Sequence, residues 1–208
     1  MSLWSAIAAL LVLTVAGCGV LVDRGSDRAA TRAEERWPPL GQFTQVGDAR
    51  VHYVQEGTGP DIVLIHGAGG NLRDFTFSLV PRLVDRGFRV TAFDRPGLGY
   101  TDRIDDRFAG PFNKRAESPQ QQAAFLAQAA GQIGVDNAVI VGHSYGGAVA
   151  MAWGLDHDAA AVVGLAGAIM PWPGDVDTIY KVLGSRVGGA ALAPLATIAI
   201  DPMETADR

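Results

Sequence analysis

The stretch AVIVGHSYGGAVAMAWG, Ala138–Gly154, is an apolar run, a serine set among glycines, and a second apolar run. Val139-Ile140-Val141 is β-branched and uninterrupted, which predicts a strand buried on both faces. Ala148 to Leu155 predicts a helix. Gly142-His143-Ser144-Tyr145-Gly146 lies between them and fits the pattern G-x-S-x-G. A strand that turns this sharply into a helix holds the middle residue in a strained conformation, with its hydroxyl above the sheet edge. Gly142 and Gly146 remove side chains that would collide as strand and helix converge, and Gly147 lets the helix pack close.

Working outward, other segments alternate between the same two types. Arg50 to Gln55 predicts an early antiparallel strand, ended by the turn Gly57-Thr58-Gly59-Pro60. Ile62-Val63-Leu64-Ile65 predicts a second doubly buried strand. A helical stretch follows, with Pro81 in its first turn and Gly87 as its stop. Phe88 to Phe93 predicts a strand ended by Asp94-Arg95-Pro96-Gly97-Leu98-Gly99. Ser118-Pro119-Gln120-Gln121 reads as a helix start, with a serine cap, proline at the first position and glutamine at the third. That helix is expected to run to Gly134, and Ala161 to Ile169 predicts a further strand. Strands and helices in this order imply an α/β fold with a mostly parallel sheet and helices on both faces.

The chain has 208 residues and a net charge of −5, with no basic stripe, so nucleic acid is not an expected partner. A single cysteine, Cys18, excludes an internal disulfide. Leu3 to Val22 carries no charge and has about the 20 residues a helix needs to cross a bilayer. Residues 1–22 are therefore expected to form a membrane anchor or signal segment, 23–39 a charged linker, 40–172 the α/β core and 173–208 the start of a helical cap. Val15-Ala16-Gly17-Cys18 resembles a bacterial lipobox, although no Lys or Arg precedes the apolar run. An uncleaved anchor in a bacterial inner membrane is the favoured expectation, with sidedness open: Arg24, Arg28 and Arg32 follow the run, beside Asp23 and Asp27.

Three motifs in register, His66-Gly67-Ala68-Gly69-Gly70, Asp94 to Gly99 and Gly142 to Gly146, make the chain resemble the α/β-hydrolase family. Within that family it resembles the cap-bearing branch of esterases, haloperoxidase-like and epoxide-hydrolase-like proteins. The resemblance extends from Gln42 to Trp172. It implies Ser144 as nucleophile, the backbone N–H groups of Tyr145 and Ala68 as an oxyanion hole, and His66 with Gly67 as loop-ordering residues. Asp94 to Gly99 is implied to be a structural turn. Serine at this position favours acyl transfer on a small-molecule carboxylic ester or related substrate (ester, thioester or amide hydrolysis, or a perhydrolase-like variant) through an acyl-enzyme, since epoxide hydrolases and dehalogenases place aspartate there; carbon–carbon bond hydrolases also use serine. No metal or organic cofactor is implied.

A serine hydroxyl needs a base, and the base needs an orienting acid. The family order is nucleophile, acid, histidine. The chain has four histidines. His52 falls on an early strand, His66 in the Gly-rich loop, and His143 beside Ser144 with its side chain committed elsewhere. His157 is about 13 residues along the helix, roughly 20 Å away. Asp175 and Asp177 are weak candidates for the acid, and Trp172 borders the pocket or packs. The expectation is a chain without its last strands, with little turnover. The strand from Ala161 would form an exposed apolar edge. The rival reading is a non-catalytic, membrane-anchored binding or scaffold protein derived from a hydrolase.

Overall fold

Side chains alternate across a strand, so a strand that is apolar at every position must be covered twice. The chain meets that demand with helices on both faces of one sheet. The structure is a computed structural model that describes residues 31–32, 34–108, 115–170 and Thr178. The chain divides into two units. One comprises Pro39–Ala109 and Asn113–Asp175 and holds the sheet; the other has helical backbone at 31–32, 34–36 and 178 among its described residues. The segments expected to form a membrane anchor (Leu3 to Val22, with Cys18) and a helical cap fall outside the described residues, Thr178 excepted. Among the described residues no helix is long and apolar enough to cross a membrane.

The strands are β1 (Gln42–Val46), β2 (Ala49–Glu56), β3 (Asp61–Ile65), β4 (Arg89–Phe93), β5 (Val139–His143) and β6 (Ala161–Leu165). The helices are α1 (Arg73–Thr76), α2 (Leu79–Val84), α3 (Pro119–Gln132) and α4 (Tyr145–Asp156). The sheet order is β1-β2-β4-β3-β5-β6. β1 with β2, and β2 with β4, are antiparallel; the remaining pairs are parallel.

The two faces can be read residue by residue. Val63 and Ile65 of β3 join Ile140 of β5 in one core, with Leu126 of α3 and Val149 and Trp153 of α4. Ile62 and Leu64 of β3 point the other way, with Val90, Ala92, Val141, Phe75 and Val80, beneath α1 and α2. β5 and β3 thus lie between two layers of helix, and the end of β5 carries Ser144 out of the sheet.

The helix starts follow local chemistry. The Ser118 hydroxyl accepts from Gln121 N, and the Gln121 side chain accepts from Ser118 N, closing the expected capping box. Pro81 is the third residue of α2, and Gly87 takes φ +83° just beyond it. The helix expected from Ala148 begins earlier, at Tyr145, because the glycine backbone at 146 and 147 can lie against its neighbours. The last strand is shorter than expected. It ends at Leu165 because Ala166 turns to φ +46°. Among the described residues β6 is one of two outer strands, opposite β1, with Val163 and Leu165 exposed.

At the opposite end of the strands, Asp61 accepts from Arg89 Nη2 at 2.6 Å and from Asp136 N at 3.0 Å. Burial alone would raise the Asp61 carboxyl, but the Arg89 hydrogen bond, the Asp136 amide and the Arg89 charge together hold it below the ordinary carboxylate value. A folded-state pKa below the unfolded one stabilises the fold above the unfolded value, and that contribution is lost as pH falls through the folded value. Asp61→Asn is therefore expected to lower the urea midpoint at neutral pH and to flatten its fall on acidification. Urea melts taken from neutral pH into the carboxylate range check this.

Candidate active site

Ser144 takes φ +50° and ψ −119°, a region that residues with a side chain rarely occupy. Strain of this kind persists only where the surroundings over-determine it. Here Ser144 N donates to Leu165 O at 3.0 Å, while Ser144 O accepts from Ala168 N at 2.8 Å and Gly147 N at 2.9 Å. The turn after β6 thus grips both backbone groups of the serine. Around it the chain comes too close for side chains. A Cβ on Gly142 would strike Gly146 O, one on Gly146 would strike Ile65 O, and one on Gly147 would come within 2.7 Å of Gly167 Cα. Among the described residues no hydrogen bond engages Ser144 Oγ, and the residue is half-buried.

The loop after β3 passes directly over this turn. A Cβ on Gly67 would lie 3.0 Å from Ser144 Cβ. Ala68, next in the chain, is exposed. Tyr145 is the first residue of α4, so its N–H has no acceptor within the helix and points out of the positive end of the helix dipole.

His66 is fully buried, and both ring nitrogens are engaged. Arg95 N donates to Nε2 at 2.9 Å, so Nδ1 carries the proton and donates to Gly67 O at 2.9 Å. Burial, with the Arg95 charge, pulls its pKa below the ordinary value against the Gly67 carbonyl and the Asp94 and Asp74 carboxylates. A ring so occupied cannot also take a proton from Ser144. His52 sits on β2, three strands from β5 in the sheet, or roughly 14 Å at normal strand spacing. His157 caps the far end of α4 and stacks edge-on against Trp153. His143 differs from expectation. Its side chain is exposed, with Nδ1 beside Gly67, and makes no hydrogen bond among the described residues, because the end of β5 leaves the core before reaching a partner. Trp172, Asp175 and Asp177 lie outside the described residues.

The Asp94–Gly99 turn is built around one carboxylate. Asp94 is buried and accepts from Leu72 N at 2.7 Å on Oδ1, and from Tyr100 N at 2.9 Å and His52 Nδ1 at 2.7 Å on Oδ2. Gly41 N donates to His52 Nε2 at 3.3 Å, which makes Nδ1 the protonated nitrogen. Arg95, the next residue, is only 4% exposed. Its guanidinium donates to Gln122 Oε1 and to Gly67 O, each at 2.9 Å, and its Cζ lies 4.7 Å from the centre of the Tyr145 ring. Burial lowers its pKa from the usual arginine value, opposed by Tyr145 and Glu117; an arginine stays cationic through such a shift.

A sequence profile of the α/β-hydrolase fold matches residues 60–189, which include all three loops. The chain belongs to the α/β-hydrolase family. It is 39% identical over 116 residues to the dihydrolipoyllysine-residue acetyltransferase component of the acetoin cleaving system of Cupriavidus necator, covering 55% of this chain and 28% of that protein. It is 32% identical over 101 residues to the zearalenone hydrolase of Bionectria ochroleuca, covering 49% of this chain and 36% of that one. Among solved structures it is similar to epoxide hydrolase A from Mycobacterium thermoresistibile, with a TM-score of 0.52 and 26% identity over 71% of this chain and 44% of that one. The chain thus spans about a third of the length of these two curated relatives.

Within this α/β-hydrolase, the structure brings Ser144, Tyr145, Gly67 and His66 into one place and sets His52 and His157 apart from it. Two arrangements escaped the sequence. The His52–Asp94 pair joins residues 42 positions apart, a distance no local pattern spans. The sequence places Arg95 only in a turn. The available signal was a charged residue directly after a doubly buried strand, where a cation requires partners.

Proposed function

We propose that this protein is a serine hydrolase that acts on a carboxylic ester or related acyl substrate through an acyl-enzyme. Ser144 is the nucleophile. Its Oγ attacks the carbonyl carbon while the hydroxyl proton passes to a base, a role that none of His52, His66 and His157 fills and that solvent water takes at a lower rate, and the carbonyl oxygen becomes an oxyanion. Tyr145 N–H and Ala68 N–H donate to that oxygen. Collapse of the intermediate breaks the bond to the leaving group, which departs with a proton, and water then releases the acid by the same route. The observation that carries the reading is the strained backbone of Ser144 between β5 and α4, with its hydroxyl free of hydrogen bonds among the described residues. The substrate is a small molecule and no cofactor enters the scheme. Anchoring to a membrane through Leu3 to Val22 belongs to the same proposal and is supported by the sequence alone.

A second reading has one observation in its favour. Among the described residues no histidine is hydrogen-bonded to Ser144, as expected of a binding or scaffold protein that retains only the hydrolase frame. A fluorophosphonate separates the two. The expected result is one phosphonyl group, taken up slowly because no histidine among the described residues is hydrogen-bonded to Ser144, on the peptide containing Ser144 and absent from Ser144→Ala, read by mass spectrometry. A folded protein that takes up no label would overturn the nucleophile assignment.

A further inference from the structure

We propose that Arg95 is a positioning residue that holds both amides beside Ser144 from behind, an inference that rests on Ser144 being the nucleophile. The starting observation is an unusual cation. Arg95 is buried, no carboxylate among the described residues hydrogen-bonds its guanidinium, and its Nε has no hydrogen-bond partner at all there. Burying a charge on those terms is costly, and fold architecture alone could be served by a neutral side chain.

One of its two hydrogen bonds and its one ring contact reach the residues that carry the two proposed oxyanion donors. Arg95 Nη2 donates to Gly67 O, and that carbonyl shares one planar peptide unit with the N–H of Ala68. In a trans peptide the two groups point in opposite directions, so anchoring the oxygen on the inner side aims the N–H outward. His66 Nδ1 donates to the same oxygen at 2.9 Å, which leaves the peptide little freedom to rotate. Donation to the oxygen also polarises the unit and strengthens the N–H as a donor. The guanidinium lies over the ring of Tyr145, whose own N–H is the second donor. Its remaining arm is tied to Gln122 in α3, and Gln122 Nε2 donates in turn to Glu117 O at 3.0 Å. One rigid fork therefore spans the loop after β3, the first residue of α4 and the start of α3. Its buried positive charge favours a negative oxygen near those amides.

The test uses the full chain with Arg95→Met and Arg95→Lys, and melting curves to establish the folded fraction. A fluorophosphonate places a P=O oxygen in the oxyanion position as the Ser144 Oγ–P bond forms, fluoride leaves and the hydroxyl proton is released. The rate constant for labelling of folded protein is expected to fall roughly ten- to hundredfold in both variants, below the full loss of one oxyanion donor. Lysine keeps the charge but cannot reach the carbonyl, Gln122 and the ring together. The 31P resonance of the adduct, which senses hydrogen bonds to that oxygen, is expected to shift from its wild-type position. If Arg95→Met does not fold, Arg95→Lys decides. Labelling of the wild type together with an unchanged rate and resonance in a folded variant overturns the role of Arg95 alone. A wild-type chain that takes no label overturns the nucleophile and this inference with it.

Discussion

Gly146→Ala is expected to lower the thermal midpoint by roughly 6–12 °C, the equivalent of about 3 kcal/mol in a chain of this size. The added methyl would meet Ile65 O and, at 2.6 Å, His66 O. Both are backbone atoms at the end of β3, where the main chain cannot turn aside as a flexible side chain can. Relief requires that α4 move away from the sheet, which also pulls Tyr145 out of place and loosens the Leu165 and Ala168 grip on Ser144. Fluorophosphonate labelling should therefore fall along with stability. Gly131→Ala provides the contrast. It lies near the end of α3 with nothing within 4 Å of the added carbon, and should raise stability by about 0.5–1 kcal/mol, the usual gain of alanine over glycine in a helix. Differential scanning calorimetry of the two variants checks both signs.

The second large effect is expected at Asp94. Asp94→Ala removes the acceptor of two buried donors, Leu72 N and His52 Nδ1, and of the part-buried Tyr100 N. At about 1–3 kcal/mol for each unsatisfied group, the loss should reach roughly 4 kcal/mol or more. Asp94→Asn should fall between this and the wild type for a geometric reason. An amide has one oxygen and one NH2 group, so whichever way it flips, an NH2 faces at least one of those donors. His52 cannot resolve the conflict by changing tautomer, because a proton on Nε2 would then face Gly41 N. Urea melts of both variants, with the order wild type, asparagine, alanine, check the argument.

The parts of this molecule legible in its sequence are those specified by neighbours in the chain. The Ser118 capping box, the doubly apolar strands and the Gly-Ser-Gly junction each carry their own local reason. β1 is not among the expected strands although it too has a local reason: Val46 pairs with Ala49 across a two-residue Gly47-Asp48 turn, a recognised hairpin signal. Its half-polar strand Gln42–Val46, mostly exposed, hid the pattern. The end of β6 differs from expectation for another reason. The positive φ of Ala166 sits in a turn whose flanking residues bond to Ser144, some twenty residues earlier, and Gly164 and Gly167 mark a break there without fixing its place. The site follows the same division. The serine and its glycines could be read, whereas the partners of His66 and Arg95 arise only when β3, β4 and α3 come together.

The grip on Ser144 has a mechanical meaning. A backbone held away from its preferred angles behaves as a loaded spring, and the catch is the turn at the end of β6. The catch consists of two hydrogen bonds, one through Leu165 and one through Ala168. Both bonds come from residues some twenty positions beyond the serine, outside β5 and α4. Whenever that turn opens, the catch slips, the serine relaxes and the shape of the site is lost, even while the core beneath α3 and α4 stays intact. The working lifetime of the site is therefore the lifetime of one turn rather than that of the whole fold.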